Sequence, residues 1–109
     1  MKQYPKEISA DEYRRGKVSH KTEIEAIRRY VEMVGGACYV LHQSGRLHGS
    51  AGIPDLYILM PHRMGVWFEV KVGPDNLSAA QKRFAELARK AGDLVEVGGL
   101  DEVVALNQW

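Results

Sequence analysis

With 109 residues the chain can build one hydrophobic core but not two. Apolar residues make up 45% and charged ones 27%, a globular balance, and no apolar run approaches the roughly 18 residues of a membrane span, which excludes a membrane partner. The net charge of +1 decides nothing by itself, but residues 1–22 carry six Lys or Arg against three Asp or Glu, and residues 93–109 carry four acidic residues and no base, so one side is expected to face phosphates.

The polar start Met1-Lys2-Gln3-Tyr4-Pro5-Lys6-Glu7 has no signal-peptide core, and a cytoplasmic location is expected. The lone cysteine, Cys38, lies in the apolar run Ala37-Cys38-Tyr39-Val40-Leu41. A disulfide framework and a thiolate zinc site are thereby excluded, and Cys38 reads as a small core residue.

Residues 1–18 mix charges with Pro5 and Gly16 and read as a basic N-terminal arm, followed by a single domain over 19–109. From Ser19 to Val34 the apolar residues Ile24, Ile27, Val31 and Val34 keep helical spacing, and Gly35-Gly36 supplies the stop. Glu23 then lies on the buried stripe, while Glu25 faces water with Arg28, Arg29 and Glu32. A carboxylate on the core side needs a cation or a donor, so Glu23 is a candidate metal ligand; it also reads as a first-turn glutamate favouring the helix dipole. His20, near the same stripe, is given no ligand role.

Ala37 to His42 reads as the first strand. The glycine-rich segment 43–52 that follows holds Ser44, Arg46, His48 and Ser50, suited to phosphate contacts, yet it lacks the Lys-Ser/Thr ending of a nucleotide P-loop. Asp55 to Met60 and Val66 to Val72 are expected to form a β-hairpin. On the second of these strands Val66, Phe68 and Val70 point into a core, while Trp67, Glu69 and Lys71 share the other face, where Trp67 is expected to cover the sheet next to the first helix.

Ser78 and Gln81 have the spacing of a capping box that opens a second helix, with an apolar stripe of Phe84, Leu87, Ala88 and Ala91 and with Gln81 at its edge. Lys82, Arg83, Arg89 and Lys90 make its outer face basic, and Lys82 is a candidate contact to nucleic acid. Leu94 to Val97 is expected as a fourth strand parallel to an inner one, and Leu100 to Leu106 as a closing helix.

The chemistry gathers on two strand ends. Asp55 at the mouth of a buried strand and Glu69 on the next bring two carboxylates together, and these repel in a dry place. A hard divalent cation, Mg2+ or Mn2+, resolves the conflict, because it takes one or two protein carboxylates, keeps several waters and leaves room for phosphate oxygens. Lys71 can then pair with the phosphate and orient the attacking water.

Pro54-Asp55 followed by Glu69-x-Lys71 resembles the PD-(D/E)xK nuclease superfamily, and Gly52-x-Pro54-Asp55-Leu56 with a later Gln81 resembles its VRR-NUC branch, over roughly residues 22–97. The resemblance implies an α/β fold with a PD-(D/E)xK nuclease-like core, a mixed central β-sheet flanked by helices. It implies a metal held by Glu23, Asp55 and Glu69, with the Val70 carbonyl as a further ligand, and Gln81 bordering the catalytic residues. Stand-alone members of virus type resemble the chain in length, and for such a chain the resemblance implies host cytoplasm and a homodimer that cuts branched DNA such as four-way (Holliday) junctions. Two other readings stay open: a nucleic-acid-binding subunit with a vestigial nuclease site, and a restriction-type endonuclease.

Overall fold

Helix α1 (His20–Met33) begins where Ser19 accepts the Thr22 backbone N–H at 3.2 Å, the side-chain cap that frees a helix from one orphan donor. The computed structural model describes residues 19–41, 51–73 and 76–108. After α1 come strands β1 (Ala37–Val40), β2 (Leu56–Leu59) and β3 (Val66–Val70), helix α2 (Ala79–Lys90), strand β4 (Leu94–Gly98) and helix α3 (Leu100–Asn107). The expected order of elements is borne out; the first three strands are shorter than expected by one or two residues at an end, and the fourth is one residue longer. The arm over 1–18 lies outside the described residues.

The sheet order is β1-β2-β3-β4, antiparallel for the first two pairs and parallel for β3 with β4. A parallel pair requires a crossover, and α2 supplies it. One sheet face carries Leu56, Ile58, Val66, Phe68 and Val70, which pack with Ala26, Ile27 and Val31 of α1 and Leu100, Val103 and Val104 of α3. Phe68 is fully buried at the centre of this core. Cys38 packs at its margin, and burial pushes its thiol up to about 11, which suits an inert core side chain.

The other face lies partly beneath α2, and here two expectations are corrected. Trp67 covers the sheet next to α2, not next to the first helix: its ring stands 5.3 Å from Phe84 and 4.9 Å from Tyr57, and its indole N–H donates to Asp93 at 3.0 Å. The stripe of α2 is also rotated from the expected one. Ala85 is the buried residue and Leu87 is 54% exposed. The reason is steric, since a helix lying close over a sheet needs a small side chain at the contact, and Ala85 rather than Leu87 meets that need. Rotation toward Ala85 carries Gln81 from the edge of the stripe to the sheet side.

Candidate active site

Asp55 is placed by the turn before it. Gly52 has φ 85°, and a Cβ there would strike the Ala80 carbonyl in the first turn of α2, so only glycine lets this turn lie against the helix. Pro54 is buried next to it. The register Leu56↔Phe68 extends by one step to set Asp55 opposite Glu69 across the strand pair. Asp55 is fixed further when its Oδ2 accepts the Val70 backbone N–H at 2.9 Å, and its own carbonyl accepts the Leu41 N–H at 2.8 Å.

Glu69 is 5% exposed. Its Oε2 accepts from the Gln81 amide at 2.9 Å and lies 3.5 Å from the Lys71 ammonium. Burial, and then the neighbouring Asp55 carboxylate, push the Glu69 carboxyl up to about 7, while Lys71 pulls it back. The strand alternation expected from sequence is thus borne out: Glu69 and Lys71 share a face and form one ion pair. Gln81 serves twice, since its Oε1 accepts the Ser78 N–H at 2.8 Å in the capping box while its Nε2 donates to Glu69.

The assignment of Glu23 to this cluster is corrected. Glu23 is buried, as its helical phase requires, but its Oε2 accepts the Leu100 N–H at 2.7 Å at the start of α3. Gly99 passes so close that a Cβ would strike the same oxygen. The buried carboxylate is satisfied by a helix N-terminus, where peptide dipoles favour negative charge, and among the described residues no three His, Cys, Asp or Glu side chains converge into a metal cage. Glu25 pairs with Arg28 at 3.4 Å and Arg29 at 3.9 Å on the outer face, as expected.

His20, not Glu23, is the α1 side chain that lies beside Asp55. Its Nε2 lies 3.2 Å from Asp55 Oδ2 and 3.1 Å from the Val70 carbonyl oxygen. Only the sheet register and the entry angle of α1 bring these groups together, and no spacing in the sequence announces it. Ser44, Arg46, His48 and Ser50 lie outside the described residues; Lys82 is exposed on the first turn of α2, beside Gln81.

The donor set fits a hard divalent cation. Asp55, Glu69 and the Val70 carbonyl offer oxygens at one strand end, and Glu69 Oε1 is buried with no hydrogen-bond partner among the described residues. A buried carboxylate oxygen without a donor is costly, and a cation would remove that cost. The arrangement also joins a lysine to the acids and ends two helices, α1 and α2, with their N-termini at the cluster.

A solved structure described as "VRR_NUC domain" is similar to this chain, with a TM-score of 0.66 and 26% sequence identity over 84% of this chain and 97% of that one. No protein-family model and no curated protein matches the sequence.

Proposed function

We propose that this chain, which has the VRR-NUC fold and with it the framework of a PD-(D/E)xK nuclease, hydrolyses phosphodiester bonds of branched DNA with a divalent cation, Mg2+ or Mn2+. The observation that carries the reading is the cluster in which Asp55 faces Glu69 across the strand pair and Lys71 stands 3.5 Å from Glu69. Asp55, Glu69 and the Val70 carbonyl would hold the cation. Once bound, it supplies an acidified water and offsets charge on the reacting phosphate.

The remaining work belongs to the chain itself. Lys71 orients the attacking water and offsets phosphate charge, and Gln81 keeps the Glu69 carboxylate turned to the cluster by its hydrogen bond of 2.9 Å. The N-termini of α1 and α2 add fixed positive dipoles where a phosphate would approach. Lys82 and Arg83, exposed on α2, extend the positive surface along the DNA, and Ser44, Arg46, His48 and Ser50 would add contacts from the glycine-rich segment.

Two-fold symmetry supports the branched substrate. One small site cuts one strand, and a two-fold homodimer would present two identical sites to the symmetric strands of a four-way junction, allowing paired nicks. A gel assay on linear, flap and four-way DNA, with and without Mg2+ or Mn2+, tests the reading, together with light scattering for the dimer. Junction cleavage that needs the metal is the expected result. Cleavage unchanged in EDTA sinks the metal reading, and a monomer that cuts linear and junction DNA equally sinks the substrate reading.

A further inference from the structure

Each carboxylate of the cluster gives one oxygen to the protein and keeps the other. Glu69 Oε2 accepts from the Gln81 amide at 2.9 Å and faces Lys71 at 3.5 Å, while Oε1 has no hydrogen-bond partner among the described residues. Asp55 repeats the arrangement. Its Oδ2 meets the Val70 backbone N–H at 2.9 Å and His20 Nε2 at 3.2 Å, and among the described residues no donor reaches Oδ1. We propose that His20 is a positioning residue, which holds Asp55 by Oδ2 and so leaves Oδ1 for the cation; the proposal rests on the metal-dependent reading above.

The direction of the bond follows from its partners. Asp55 Oδ2 and the Val70 carbonyl oxygen, 3.1 Å from the same nitrogen, are both acceptors, so Nε2 carries a proton and shares it between them. Neutral and charged imidazole both meet this condition, so the role does not depend on the charge of the ring. The Val70 carbonyl keeps its second lone pair. Through one N–H, His20 ties the start of α1 to the residue before β2 and to the last residue of β3.

One donor would not be enough. With the Val70 N–H alone the carboxylate can still turn about its Cβ–Cγ bond, a torsion with a broad minimum. Donors prefer the plane of the oxygen they approach, so a second one from another element fixes that plane as well. Gln81, in the first turn of α2, gives Glu69 the same support that His20, the first residue of α1, gives Asp55. The His20 side chain is 51% exposed, so its removal leaves no cavity in the core and bears on the site rather than on the fold.

Calorimetric titration of metal-free protein with Mg2+ and Mn2+, beside NMR of the His20 ring nitrogens, tests the role. In the wild type the proton is expected on Nε2 both before and after Mg2+ is added. His20→Ala is expected to bind both cations about tenfold more weakly or worse, and His20→Gln, whose amide N–H can reach the same oxygen, to recover most of the loss. A ring proton on Nδ1 alone, unchanged affinity in His20→Ala, or equal losses in the Ala and Gln variants overturns the role of His20, while cation binding by the wild type upholds the Asp55–Glu69 reading. Wild-type protein that binds neither cation overturns both. The wild-type spectra and the Gln variant decide the question even if His20→Ala does not fold.

Discussion

Glu23 separates a structural carboxylate from a metal ligand, and its replacement has a magnitude that can be worked out. Glu23→Ala removes the acceptor 2.7 Å from the Leu100 N–H at a position only 5% exposed. A hydrogen bond to a charged group contributes about 1.5–3 kcal/mol, and the stranded N–H keeps its desolvation cost. Loss of a carboxylate at a helix N-terminus adds about 0.5–1 kcal/mol, for a total near 3 kcal/mol. With 109 residues, an unfolding entropy of about 2.1 cal/mol/K per residue converts this to a fall in Tm of about 13 °C. Glu23→Gln keeps an amide oxygen as acceptor and loses the charge, about 1 kcal/mol or about 4 °C. Circular-dichroism melts of metal-free protein, run beside calorimetric titrations with Mg2+ and Mn2+, should show lower Tm with nearly unchanged metal affinity. The reasoning is refuted if Glu23→Ala melts within about 3 °C of wild type and binds metal about tenfold more weakly, the outcome that sequence alone anticipated.

Asp55→Asn, Glu69→Gln and Lys71→Ala should each lower cleavage by at least ~100-fold with the fold retained, as measured by initial rates on junction DNA beside melts. Because the folded carboxyl of Glu69 sits near 7 against an ordinary 4.5, its proton is held more tightly in the folded state. The stability it contributes to metal-free protein is full below about pH 4.5 and is lost as pH rises through about 7, and Glu69→Gln should flatten Tm over that window. A wild-type Tm that rises with pH there, with the Gln variant unchanged, would contradict this. Gly52→Ala must move the turn from the Ala80 carbonyl, so a loss of about 1–3 kcal/mol and weaker metal binding are expected in denaturant titration and calorimetry. Gln81→Ala should cost about 1 kcal/mol through the cap and lower cleavage as well, whereas a purely capping role would leave the rate unchanged.

Local patterns made much of this protein legible in its sequence. Helical spacing of Ile24, Ile27 and Val31 set the phase that buries Glu23, and strand alternation set Glu69 and Lys71 on one face, because both periods are properties of the backbone alone. The Ser78–Gln81 box was legible for the same reason, since a cap needs only four consecutive residues. Partners far apart in the chain were another matter. The Leu100 N–H that satisfies Glu23, the rotation of α2 that favours Ala85 over Leu87, and the approach of His20 to Asp55 and Val70 all depend on how whole elements lie on the sheet. Sequence periodicity tells a side chain which way to point. Only packing decides what it meets, because element positions follow from the summed fit of many side chains in a close-packed core.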